Sequence, residues 1–208
     1  MTLLIRGKNH MVSTQPTRHL LVGLGNPGEG YAQNRHNVGF MCVDEIHRSY
    51  GFSPWKAKFS GLLAEGSIDQ QKAILFKPLI YMNRSGRPIV EVSSFFKITP
   101  DHIIVFHDDL DLPPGTVRVK QGGGHGGHNG LRDLDAHLGK DYWRVRIGIG
   151  RPLHKEQVSP YVLSNFSKED RRWLDFLLPL LADEVHLLLT PTPQAYGARV
   201  MTLTTLEK

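Results

Sequence analysis

Two short apolar runs, residues 19–25 and 102–107, constrain this chain more than anything else in it. The second is apolar in the middle and β-branched, and both read as strands buried on two faces rather than one. The first closes on Gly23, Gly25 and the sharp turn Asn26-Pro27-Gly28, and the second delivers Asp108-Asp109 at its carboxyl end. Helical patterns lie between and beyond them. Val38, Met41, Cys42 and Ile46 recur at helical spacing from about residue 37 to residue 50, with Gly51 as a stop. Asn83-Arg84-Ser85 opens a helix running to about Phe96, with Pro88 in the first turn, where proline is tolerated. Residues 61–66 and 72–76 form a strand pair about a turn at Asp69-Gln70. Ser167-Lys168-Glu169-Asp170 starts a Leu-rich helix in the manner of a capping box, and Pro179 is expected to kink or divide it.

Strands alternating with helices predict an α/β fold: one domain, a twisted mixed and mostly parallel sheet, helices on both faces, and a site at the strand carboxyl ends. The expected boundaries are a flexible N-terminal extension over 1–18, the domain over 19–190 and a C-terminal tail over 191–208. The extension carries Arg6, Lys8 and Arg18 with no acid and a second Met at position 11, but no convincing amphipathic pattern, so it reads as disordered rather than as a presequence.

Composition narrows the class of partner. With 208 residues and 40% hydrophobic content the chain can bury one good core. Lys and Arg number 25 against 20 Asp and Glu, a net charge of +5, which favours a polyanionic partner, nucleic acid first. No apolar run approaches the roughly 20 residues that a membrane span needs. The single cysteine, Cys42, lies on an apolar helical face and reads as a buried thiol in a reducing cytoplasm.

The chemistry-bearing stretch is residues 122–130, six glycines in nine positions interrupted only by His125, His128 and Asn129. A backbone this bare lets something large approach closely. Gly23-Leu24-Gly25-Asn26-Pro27-Gly28 has the spacing of a dinucleotide fingerprint but fails as one, because the helix that should begin at once is displaced some ten residues along the chain. No nucleophile elbow and no phosphate-loop lysine occur. His107, Asp108, Asp109, His125 and His128 could be metal ligands, but a glycine loop is a poor preorganised metal scaffold. What remains is a histidine and carboxylate system flanked by amides: Asn26, His36-Asn37, Asn83, Asp108 and Asn129, all at element ends or in loops. Hydrolysis without a nucleophilic side chain asks for that set: a base for water, a carboxylate to orient it, and amides to hold the carbonyl and the water. Alternation also puts Arg118 with Lys120, and Arg144 with Arg146, on common strand faces as basic stripes.

Four ordered motifs closely resemble the bacterial peptidyl-tRNA hydrolases: residues 26–37 with Asn26-Pro27-Gly28, Tyr31 and Arg35-His36-Asn37; residues 81–86; residues 107–115; and residues 122–131. The resemblance runs from Leu20 to about Leu189. It implies a monomeric cytosolic enzyme, without cofactor or metal, that hydrolyses the ester joining a peptide to the terminal ribose of tRNA at the acceptor stem and 3′ CCA end. By the same resemblance His36 is the general base and Asp108 orients it. Asn26 and Asn129 handle the peptide carbonyl and the attacking water, and Asn26 favours an acylated amino group over a free ammonium. Tyr31, Tyr81 and Asn83 help hold the product end, and Arg118, Lys120, Arg146 and Lys155 stand where the family places cations facing tRNA. Residues 151–163 resemble its mobile lid. One departure is Asn34, where the family often has Thr; its amide is expected to cap the same turn. A noncatalytic RNA-binding relative of the fold and a metal-dependent hydrolase are the competing readings.

Overall fold

The computed structural model describes residues 18–206. Seven strands form one sheet in the order β2-β3-β4-β1-β5-β7-β6. They are β1 (Arg18–Gly23), β2 (Lys56–Lys58), β3 (Gly61–Ile68), β4 (Gln71–Pro78), β5 (Ile103–Asp109), β6 (Val117–Gln121) and β7 (Trp143–Gly148). The pairs β4-β1, β1-β5 and β5-β7 are parallel, whereas β3 and β6 run against their neighbours. The expected mixed sheet is therefore present, with three of its six strand pairs parallel and three antiparallel. Asp69 and Gln70 turn β3 into β4 with φ of 45° and 66°, the left-handed pair that suits a tight hairpin.

Side-chain alternation divides the core into two layers. Leu21, Leu75, Ile104 and Phe106 face α1 (Val38–Ser49), α5 (Lys168–Asp183) and α6 (Gln194–Leu206). Leu20, Val22, Ile74 and Val105 face α2 (Gly86–Phe96) and α3 (Asn129–Leu138). Cys42 is free and buried in the first layer.

The glycines of the false dinucleotide motif have a packing cause. A β-carbon on Gly23 would lie 2.3 Å from the Gly39 carbonyl oxygen, and one on Gly25 would lie 2.6 Å from the Phe40 ring. They let the first turns of α1 press against the end of β1.

Three expectations change. Residues 191–208, read as a tail, include α6, whose Tyr196 and Val200 are fully buried and whose Tyr196 hydroxyl donates to the Leu181 carbonyl at 2.9 Å. The packed fold therefore extends to residue 206. At the other end β1 already includes Arg18, while residues 1–17 of the expected extension lie outside the described residues. Helix α5 runs unbroken through Pro179, with the capping box of Ser167 and Asp170 at its start. A fourth helical stretch, α4 (Val158–Val162), preceded by a 3-10 turn at Lys155–Gln157, lies within residues 151–163.

Candidate active site

The chain leaves β1, β4 and β5 at their carboxyl ends, and there a cavity of about 760 Å³ opens. Ligand sites of α/β sheets favour this place because diverging connections leave a crevice. Asn26 comes from the turn after β1, Tyr81 and Asn83 from the connection after β4, and Asp108 from the carboxyl end of β5.

His36 sits in a 3-10 turn, Arg35–Asn37, wedged between β1 and α1. Its neighbours fix it from both sides. The Asn37 amide accepts from the Asn26 N–H at 3.0 Å and donates to the Asn26 carbonyl at 2.9 Å. Arg35 donates to Ser164 Oγ at 2.7 Å and to Asp170 Oδ2 at 2.6 Å, with Tyr161 and Phe166 rings against its guanidinium. Asn34 makes no capping bond; it donates instead to Asn165 Oδ1 at 2.8 Å, tying the same turn to the start of α5.

His36 Nδ1 lies 2.8 Å from Asp108 Oδ1. The carboxylate accepts, so the proton is on Nδ1 and the lone pair is on Nε2. Burial opposes a charge on His36, but the Asp108 carboxylate outweighs it through charge and hydrogen bond and raises the imidazole above the usual value of 6.5. Burial likewise opposes the charge on Asp108; His36 and His128 outweigh it and hold the carboxyl well below the usual carboxylate range. The base is thus oriented by a group that stays ionised.

The sequence offers His128 as a candidate metal ligand, and the structure gives it two other tasks. It caps α3: its Nδ1 accepts from the N–H groups of Gly130 and Leu131 at 3.2 and 3.3 Å. Its Nε2 therefore carries the proton and donates to Asp108 Oδ1 at 3.0 Å, beside His36. His128-Asn129 at a helix start was the available signal, since side chains that accept from N–H groups are favoured there. His107 is buried, and desolvation and the nearby His128 push its imidazole down to about 3. His36, Asp108 and His128 bring three ligand-type atoms within 4.8 Å of one another, but the hydrogen bonds to Asp108 already account for that clustering.

The amides are oriented too. Asn26 Oδ1 accepts from the Met82 N–H at 2.9 Å, which fixes the amide's orientation and leaves its NH₂ group as a donor for a ligand in the cavity it lines. Asn129 Oδ1 accepts from Arg132 at 3.1 Å, which again leaves an NH₂ donor. Tyr31, Tyr81 and Asn83 line the same cavity, Tyr81 being 61% exposed. Val158 and Leu163, at the two ends of α4, close its far wall.

The cations divide. Lys120 and Arg146 line the cavity, and Arg146 also donates to Asp109 Oδ2 at 2.7 Å. Arg118 pairs with Arg146 across β6 and β7 but lies exposed beyond the cavity lining, as does Lys155 on the 3-10 turn before α4. Arg144, expected on a basic stripe, is 0% exposed and paired with Asp135, so it offers no surface charge.

A model of the peptidyl-tRNA hydrolase family matches residues 20–205. The peptidyl-tRNA hydrolase of Rhodospirillum centenum is 60% identical over 185 residues, covering 89% of this chain and 82% of its own length. That of Bradyrhizobium diazoefficiens is 54% identical over 181 residues, covering 87% and 90%. The crystal structure of the peptidyl-tRNA hydrolase from Acinetobacter baumannii is similar with a TM-score of 0.82 and 42% identity, covering 88% of this chain and 95% of that one.

Proposed function

The chain belongs to the peptidyl-tRNA hydrolase family, and on that premise we propose that it hydrolyses peptidyl-tRNA at the ester between the peptide and the 3′-terminal ribose. The reaction returns tRNA from prematurely released peptidyl-tRNA to use. The observation that carries the mechanism is the 2.8 Å hydrogen bond from His36 Nδ1 to Asp108, which leaves Nε2 as a base on a cavity ringed by amide donors. His36 Nε2 takes a proton from water as the water oxygen attacks the ester carbonyl carbon. Asp108 holds the ring in this tautomer and stabilises the imidazolium.

The NH₂ groups of Asn26 and Asn129 donate to the peptide carbonyl and position the water, where charge develops. Collapse of the tetrahedral intermediate breaks the bond to the ribose oxygen, which leaves with the proton held by His36. No covalent enzyme intermediate and no metal enter. Tyr31, Tyr81 and Asn83 hold the 3′ CCA end, and Lys120, Arg146, Arg118 and Lys155 meet acceptor-stem phosphates. The enzyme acts as a monomer in the cytoplasm; among the described residues no helix is long and apolar enough to cross a membrane.

The test is release of an N-blocked amino acid from charged tRNA, with and without EDTA. Hydrolysis unaffected by EDTA is expected. EDTA-sensitive hydrolysis would move the chemistry to a metal, and RNA binding without hydrolysis would leave a noncatalytic relative.

A further inference from the structure

The segment that supplies the glycine wall, His128 and Asn129 has little packing of its own. β-Carbons placed on Gly124, Gly126 or Gly127 would meet nothing within 4 Å, and Gly122, Gly123, Gly126 and Gly127 all have positive φ. A stretch of that kind loses much entropy on ordering and should not hold a catalytic amide in place unaided. Two contacts from one side chain brace it. Arg144 Nη1 donates to the Gly124 carbonyl at 2.8 Å, and Arg144 Nη2 donates to Asp135 Oδ1 at 2.8 Å, on the helix that Asn129 begins.

We infer that Arg144 is a positioning residue for hydrolysis, fixing both ends of residues 124–135 and so the placement of Asn129 and His128 against His36. The inference rests on the reading of the cavity as the hydrolytic site. The guanidinium is fully buried, lies over the Tyr142 ring at 4.6 Å and shares Asp135 Oδ1 with the Tyr142 hydroxyl at 2.7 Å. Yet Arg144 Nε and Asp135 Oδ2 are buried without partners. A half-satisfied buried ion pair is a weak source of stability, and well-packed apolar groups often replace one without loss. Its distinguishing product is geometric: one planar fork, rising from a sheet strand, sets a loop carbonyl and a helix at a fixed separation. Lysine has a single ammonium and cannot present that fork.

The experiment combines Arg144→Met with Asp135→Leu and Tyr142→Phe, removing the whole polar group rather than orphaning part of it. The thermal midpoint should be largely retained. On a short N-acyl-aminoacyl nucleotide kcat should fall about 10- to 100-fold, since displacing a positioned group by about 1 Å costs that much, with KM little changed. A folded variant with wild-type kcat would overturn the inference. Backbone relaxation of the wild-type loop amides provides a measurement independent of whether the variant folds. Order parameters near the rigid value of about 0.85 are expected across residues 122–127, and values below about 0.6 would overturn the bracing. Failure of the site reading itself would look different: wild-type protein would not cleave the short substrate, while the loop would still report rigid.

Discussion

At the residue scale, the two sides of the His36 imidazole have separate consequences. Asp108 raises its pKa against the effect of burial, and only the neutral ring can accept a proton from water. The acid limb of kcat/KM should therefore lie above 6.5, with activity rising through it as pH increases. In Asp108→Asn the carboxylate is gone and burial alone remains, so the limb should move below 6.5 while the rate falls. A limb that stays in place would remove Asp108 as the group setting the base. Asn26 bears on substrate choice. Its oxygen is engaged by the Met82 N–H and its NH₂ group is the free donor, which suits an acyl carbonyl better than a free ammonium. Asn26→Asp should narrow the ratio of rates on N-acylated and free aminoacyl-tRNA, and an unchanged ratio would exclude Asn26 from the discrimination. His36, Asp108 and the two amides were legible because bases, acids and amides at element ends suggest hydrolysis. The second partner of Asp108 was not, since the contact with His128 spans 20 residues and depends on how α3 is capped.

At the element scale, the strand period put Arg118 with Lys120 on one face of β6 and Arg144 with Arg146 on one face of β7 but could not say which reach solvent. Asp135, which draws Arg144 inside, belongs to a helix whose docking no local pattern records. Likewise α6 has no local signature, because its apolar residues do not gather on one helical face and only tertiary packing reveals it. For the remaining cations, Lys120→Ala and Arg146→Ala should raise KM on full-length peptidyl-tRNA with kcat largely intact, because a phosphate contact is made equally in ground and transition states. Each should also flatten the slope of log affinity against log salt by about 0.7 to 0.9. A salt series on full-length and short substrates checks this; equal losses on both would place these side chains in the catalytic machinery or the fold instead.

At the scale of the whole molecule, buried histidines link stability to acid. Burial lowers His19 to about 4, helped by His102, and desolvation with His128 lowers His107 to about 3. Both folded values are depressed, so their contribution is present above the ordinary value of 6.5 and is lost as pH falls toward 4 and 3, where the unfolded chain takes up protons that the fold refuses. His36 has the opposite sign, stabilising when protonated and losing that contribution as pH rises through its elevated value. The thermal midpoint should drop steadily from pH 6.5 to pH 4, less steeply in His19→Gln; an equal slope in that variant would exclude His19 as a source. The mixed sheet, the helices on both of its faces and the site at the strand ends were foreseeable from alternating elements, because burial sets the period of both strand and helix, whereas the strand order rests on tertiary pairing that no local pattern records.

All of these features converge on one nitrogen atom, and turnover of His36→Ala measures its part most directly. With the fold verified by its thermal midpoint, hydrolysis of N-acyl-aminoacyl-tRNA by this variant should be at least about 10²-fold slower than wild type, the loss associated with removing a general base. Near-wild-type turnover by a folded His36→Ala protein would contradict the account.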